Sequence, residues 1–108
     1  FGVCLVTSGP GVTNAITPCL AAWVDSVSVM FISGQVMVKW LALYGMRSRG
    51  TQEAPTVELV RSITKQVCQP HFAKAIPSLM EHMIILAKDG RPGPVWLDVP
   101  MDVQNAEV

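Results

Sequence analysis

One hundred and eight residues, half of them hydrophobic and only 15% charged, suffice for one hydrophobic core but are few for a complete enzyme. Eight basic and eight acidic side chains cancel, which excludes the strongly basic surface that nucleic acid or an anionic membrane selects. Ser, Thr, Gly, Pro, Asn and Asp break every apolar run well short of the roughly 20 residues of a membrane span.

The chain starts in a strand-like Phe1-Gly2-Val3-Cys4-Leu5 with no basic leader, as expected of a piece of a longer protein. Val3 to Thr7 predicts a strand buried on both faces, being a short apolar run that ends in turn residues. Asp25 is the only charged side chain before Lys39, so the first third of the chain is expected to be buried. Ser8-Gly9-Pro10-Gly11-Val12-Thr13-Asn14 follows, and reads as a ligand-facing turn. Pro10 fixes its own φ, and two residues without a Cβ let the chain turn sharply and let a flat or charged group come close. A strand's carboxyl end running into a helix amino terminus is also where open α/β sheets place ligands. Ser8, Thr13 and Asn14 offer hydrogen bonds there. The turn is neither G-x-G-x-x-G nor a P-loop, which disfavours a nucleoside triphosphate. The same residues also fit a turn that merely joins a strand to a helix.

Val12, Ala15, Ile16, Cys19, Leu20 and Trp23 recur at helical spacing and define one apolar face. Pro18 has no N–H for the Asn14 carbonyl, so a kink, or a helix starting late after an irregular first turn, is expected. Val27 to Ser33 predicts a second buried strand, closed by Gly34-Gln35. Val36 to Ala54 passes Trp40, Tyr44 and Arg47 without periodicity and reads as a long functional or mobile loop. Its end, Gly50-Thr51-Gln52-Glu53, is polar and precedes a helix opened by Pro55, with Val57, Val60 and Ile63 on one face. Glu53 reads as a helix-terminus charge, whereas Gln52 has no equally simple local role.

Lys65 to Gln69 predicts a short strand. Ile76, Leu79, Met80, Met83, Ile84 and Ala87 form the strongest helical stripe, with Pro77 near its start and Gly90 as its stop. Pro92-Gly93-Pro94 turns into a last strand, Val95 to Val99, ended by Pro100. The order β-α-β-loop-α-β-α-β predicts a single α/β domain over residues 1–108. Its expected form is a three-layer sandwich with a mostly parallel sheet, flavodoxin-like and doubly wound, incomplete at its N-terminus.

Cys4, Cys19 and Cys68 are odd in number and form no C-x-x-C pair, so they read as buried thiols of a reducing compartment, cytoplasmic or organellar. The two histidines, His71 and His82, lie apart and read as surface residues, so no metal site is expected. Asp98 and Asp102 flank Pro100 and read as turn residues rather than as an acid/base pair. No nucleophile, histidine and acid assemble from spacing.

Three segments in this order carry a family resemblance: LVTSGPGVTNAITPCLAAWVDS with FISGQV (Leu5 to Val36), GTQEAPTVELVRSITK (Gly50 to Lys65) and GRPGPVWLDVPMDVQ (Gly90 to Gln104). Together they resemble the amino-terminal pyrimidine-binding domain of thiamine-diphosphate enzymes, in the acetolactate synthase group. The resemblance implies a transferase of branched-chain amino acid synthesis, in which the cofactor's carbon nucleophile decarboxylates a 2-keto acid and the two-carbon unit passes to a second. It implies that Pro10 and Asn14 lie against the aminopyrimidine, that Gly9 and Gly11 shape that wall, and that Gln52 reaches towards the thiazolium and substrate.

By the same resemblance the activating glutamate lies upstream of residue 1, Glu53 does not replace it, and no catalytic residue is assigned within this chain. The diphosphate and its Mg²⁺ fall to a carboxyl-terminal domain, with FAD allowed as a further cofactor, and a second subunit completes a homodimer or tetramer. The chain alone is expected to be inactive. Synthases commonly carry an aromatic residue where this chain has Thr51 and a lysine where it has Met101, so another acceptor is compatible. Glyoxylate carboligase, 2-hydroxyacyl-CoA lyase and 2-keto acid decarboxylases share the domain. A flavodoxin-like nucleotide or flavin module, and a non-catalytic domain kept for subunit contacts, stay open beside these.

Overall fold

Four apolar runs pair into one sheet, all parallel, in the order β1-β2-β4-β3, where β1 is Gly2–Val6, β2 Val29–Gln35, β3 Gln66–Cys68 and β4 Val95–Pro100. The computed structural model describes residues 1–108 throughout. Helices α1 (Pro10–Val24), α2 (Thr56–Val60), α3 (Ile76–Lys88) and α4 (Met101–Gln104) connect and flank the strands, with short 3-10 turns at Val38–Trp40, Arg61–Ile63 and Ala73–Ala75. The expected α/β sandwich with a parallel sheet is therefore present, and no helix is long and apolar enough to cross a membrane.

Side chains alternate along a strand, so β2 and β4 feed two cores at once. Met30, Val95, Leu97 and Val99 pack on one side with Met83 and Ala87 of α3. Phe31 and Trp96 pack on the other with Val12, Ala15 and Cys19 of α1 and Val60 of α2. Phe31 and Trp96 are partners in register and stack with ring centroids 4.9 Å apart. All six residues of β4 are buried because it lies between two strands and two helical layers. Each such apolar side chain contributes about 1.5–3 kcal/mol by burial, which makes this strand the centre of the fold.

Four expectations need correction. β1 is an edge strand, paired only to β2, and is not buried on both faces. Cys4 and Val6 turn towards the α1 core, whereas Val3 and Leu5 on the opposite face stay 63% and 76% exposed because α3 packs over β2 and β4 instead. Scarcity of charge over the first third thus does not amount to burial, since Leu20, Trp23, Val24 and Val27 are exposed as well. Ala22, not Trp23, completes the buried face of α1.

Nor does α1 begin late. It starts at Pro10, whose preset φ suits the first helical position, and it continues through Pro18. Pro18 sits on the exposed face and forfeits the bond to the Asn14 carbonyl, a cost on the order of 3 kcal/mol in a helix interior. Burial of Val12, Ala15, Cys19 and Ala22 on the other face offsets that loss. At the far end of the molecule Gly90 takes φ 59° just past α3, as its placement predicts.

Candidate functional site

Because all strands run parallel, the turns after Val6, Gln35, Cys68 and Pro100 share one edge of the sheet. At that edge the Ser8–Asn14 turn meets Gln52. Gly9 caps α1 with φ 63°, and a Cβ built on it would lie 2.7 Å from the Gln52 carbonyl oxygen and 3.0 Å from the Gln52 Cβ. A Cβ on Gly11 would lie 3.0 Å from Thr7 Cγ2 and 3.3 Å from Val6 Cβ. In the Cβ direction the space left by these two residues is filled by the protein's own chain, so both serve close packing of the turn against its neighbours. Gln52 itself holds φ 59°, a left-handed conformation costing a non-glycine residue about 1–2 kcal/mol. Such strain persists only where neighbours over-determine it.

What faces outward is Pro10, Asn14 and Gln52. Pro10 and Asn14 stand one turn apart on the exposed face of α1, and the Gln52 side chain is exposed beside the turn. Thr13 bonds back to the Pro10 carbonyl through Oγ1 at 3.3 Å, and no side chain caps the helix N-terminus.

Glu53 does not act as a helix-terminus charge. Its carboxylate accepts backbone hydrogen bonds from Ala42 at 2.6 Å, Arg49 at 2.7 Å and Gly50 at 3.0 Å, gathering the long loop onto itself. Burial pushes the Glu53 carboxyl up, but these three N–H donors and the Arg49 charge outweigh it and hold the group below its ordinary value. Gly50 closes the other side, since a Cβ there would lie 2.6 Å from Val36 Cγ1. The signal was present in the sequence: Glu53 is the only acidic residue between Asp25 and Glu58, beside a loop that carries Lys39, Arg47 and Arg49.

Asp98 is likewise no turn residue. It lies fully buried in β4 and accepts from Ser33 Oγ at 2.5 Å, Gln69 Nε2 at 2.7 Å and Gln35 Nε2 at 3.0 Å. Trp96 Nε1 donates to Ser33 Oγ at 2.8 Å, which ties the stacked aromatic pair into the same network. Burial pushes the Asp98 carboxyl up, and the hydrogen bonds from Ser33, Gln69 and Gln35 oppose that rise. Period-two alternation with Trp96 was the clue that Asp98 points into a core. Asp102 is no turn residue beside Pro100 either: it lies in the first turn of α4 and accepts from the distant Val38 N–H at 3.1 and 3.2 Å.

Cys19 is buried and its thiol is pushed up to about 12 by burial, which makes it unreactive, whereas Cys4 and Cys68 are only half-buried. His71 and His82 are exposed, and no group of three or more His, Cys, Asp or Glu is arranged to hold a metal ion. A cleft of about 640 Å³ opens on the same sheet edge, lined by Thr7, Ser8, Gly34, Gln35, Met101 and Gln104 among others. A second pocket of about 390 Å³ brings Thr51 and Met101 together with Trp40 and Arg49, and the Arg49 guanidinium lies 5.3 Å from the Trp40 ring centroid.

Fold and site together define an α/β cofactor-binding class of domain, one that presents a neutral, polar-rimmed wall at the carboxyl edge of a parallel sheet. The family model described as thiamine pyrophosphate enzyme, N-terminal TPP binding domain, matches residues 1–59, and the chain belongs to that family. The chain is 42% identical over 104 residues to acetolactate synthase 2, chloroplastic, of Nicotiana tabacum, covering 96% of this chain and 15% of that protein. It is equally 42% identical over 104 residues, 96% of its length, to acetolactate synthase, chloroplastic, of Arabidopsis thaliana, spanning 15% of the relative. The acetolactate synthase large subunit of Haemophilus influenzae matches at 42% over 104 residues, 96% of this chain and 17% of that subunit. The resemblance to the acetolactate synthase group is thereby borne out, and the chain spans less than a fifth of these relatives' length.

The donor set agrees with the family's cofactor in one respect and limits it in another. A proline ring and two carboxamides suit a flat, neutral heterocycle with donors and acceptors on its rim. No cation stands on the Ser8–Asn14 turn or at Gln52 to neutralise a diphosphate. On this turn and at Gln52 the residues therefore suit a flat, neutral part of the family's cofactor better than its diphosphate.

Proposed function

We propose that this chain forms the pyrimidine-side wall of a thiamine-diphosphate-dependent transferase of the acetolactate synthase kind, which decarboxylates a 2-keto acid and transfers the two-carbon unit to a second. One observation carries the reading: Pro10 and Asn14 on one segment and Gln52 on another, far apart in sequence, interlock through Gly9 at the carboxyl edge of the sheet. When bound, thiamine diphosphate supplies the carbon nucleophile and the electron sink. This chain's residues bind and orient it: Pro10 gives an apolar contact for the ring, Asn14 offers its carboxamide to the polar rim, and Gln52 serves the substrate side. Gly9 and Gly11 shape that wall.

The activating glutamate, the diphosphate site with its Mg²⁺, FAD where the holoenzyme carries it, and the second subunit of a dimer or tetramer are assigned to the rest of the protein. The small share of the relatives' length that this chain spans supports that division. On its own the chain is inactive under this reading. The plant relatives are named chloroplastic, which supports an organellar or cytoplasmic site. Thr51 and Met101 share their pocket with Trp40 and Arg49, so the long loop brings an aromatic and a cation to the acceptor side.

The test is turnover of pyruvate to acetolactate by the full-length protein with Mg²⁺ and thiamine diphosphate. Asn14→Leu should weaken cofactor binding about tenfold, the loss of roughly one hydrogen bond to a polar ring. Tight binding of FMN or NAD with no thiamine-dependent turnover would overturn the assignment in favour of a nucleotide module. Thiamine-dependent release of an aldehyde, or use of glyoxylate or an acyl-CoA, would move it to a sister enzyme.

A further inference from the structure

We propose that Asp98 is a positioning residue, acting through Gln35 and Ala54 to hold Gln52 in place. The inference rests on the reading that Gln52 faces the reacting substrate. Asp98 is fully buried without a cationic partner, a placement that an apolar residue of similar size would normally fill more cheaply. Its oxygens instead collect donors from three places on the sheet: Ser33 within β2, Gln35 at the end of β2, and Gln69 just past β3.

A carboxylate accepts and cannot donate, so it forces the Gln35 NH₂ inward. That NH₂ has two hydrogens, and the second goes to the Ala54 carbonyl, at 2.8 Å. Gln35 Oε1 is then left to accept from the Val36 N–H at 2.9 Å. Every polar atom of the Gln35 carboxamide is committed, in one orientation only. With an amide in place of the Asp98 carboxylate, Gln35 could flip and set its oxygen against the Ala54 carbonyl.

Ala54 is buried and stands two residues after Gln52. Gln52 is thus fixed from three sides. Gly9 leaves room for its backbone, Glu53 clamps the loop before it, and the Asp98–Gln35 tether holds the residue that leads into α2. These contacts keep its left-handed φ of 59° in place without a glycine.

The test uses the full-length protein with Asp98→Asn, Gln35→Met, their combination, and Gln52→Ala. Asp98→Asn and Gln35→Met should each lower kcat at least about tenfold by misplacing Gln52, while the dissociation constant of thiamine diphosphate changes by less than about twofold. The double variant should be no worse than the poorer single one, since both act along one path. Hydrogen exchange of the residue 51–54 amides, measured without cofactor, should quicken about tenfold in both single variants. Should Asp98→Asn fail to accumulate folded, Gln35→Met alone decides the matter, because it leaves Asp98 with Ser33 and Gln69. A folded Gln35→Met enzyme with unchanged kcat, beside an impaired Gln52→Ala, overturns the tether and leaves the functional reading standing. A parallel loss of kcat and cofactor affinity overturns it as well, by showing a general structural defect. Full activity of Gln52→Ala removes the functional reading of that residue, and the inference with it.

Discussion

The Ser8–Asn14 turn takes its shape from its own stereochemistry: a left-handed Gly9, a proline at the first helical position and a helix whose buried face starts at Val12. The Gly50–Thr56 segment, which meets it across Gly9, takes its shape from elsewhere, because Glu53 gathers Ala42, Arg49 and Gly50 while Gln35 and Asp98 hold Ala54. One wall of the site is local and stiff, and the other is a tertiary assembly of hydrogen bonds. A local wall tolerates changes elsewhere in the chain. An assembled wall can be loosened by changing a residue that no ligand touches.

The contact between the walls is the place to break the comparison. Gly9→Ala adds a Cβ at 2.7 Å from the Gln52 carbonyl oxygen and places a side chain at φ 63°, and should cost about 3 kcal/mol from strain and overlap together. Thermal unfolding of the full-length protein, with the affinity for thiamine diphosphate, measures it. Unchanged stability would mean the two walls do not interlock.

Glu53→Ala should loosen only the assembled wall. Losing the shared acceptor should speed exchange of the Ala42, Arg49 and Gly50 amides roughly tenfold, with those of α1 unaffected. Equal loosening on both sides would erase the distinction.

Acid should act on the same wall. The folded Glu53 carboxyl lies below its ordinary value of 4.5, so its contribution is full above that pH and is lost as pH falls through the folded value. Asp98 has the opposite sign: its carboxyl is raised above 3.8 by burial, so its share is full below that pH and is lost as pH rises through the folded value. Protection of the Ala42, Arg49 and Gly50 amides, corrected for intrinsic exchange, should therefore fall below pH 4.5 in the parent and fall much less in Glu53→Gln, where only Asp98 still titrates beside this wall.

Pro10→Ala should give the smallest effect, about 0.5 kcal/mol, because it mainly frees the unfolded chain and leaves the helix start intact. A much larger loss in unfolding experiments would show that the local wall also depends on partners.

Legibility in the sequence follows the same line. Periodicity and turn residues placed the four strands and helices α1, α2 and α3 to within a few positions, because hydrophobic alternation and Gly and Pro chemistry act over a few residues, but α4 and the Val38–Trp40 turn went unread. The edge position of β1 escaped, since an apolar pentapeptide reads the same at the centre of a sheet and at its border. Glu53 and Asp98 were visible as residues but not as anchors, their partners lying at Ala42 and at Ser33, Gln35 and Gln69.

By itself the sequence determined the α/β order, the parallel sheet, the Ser8–Asn14 turn and the family, all written in short motifs and local stereochemistry. Only the tertiary structure decided that Gln52 packs into the space above Gly9, that Glu53 folds the loop, and that a buried Asp98 orients Gln35. Those facts depend on which distant groups share the carboxyl edge, and that is set by the pairing order of the strands, which no local pattern encodes.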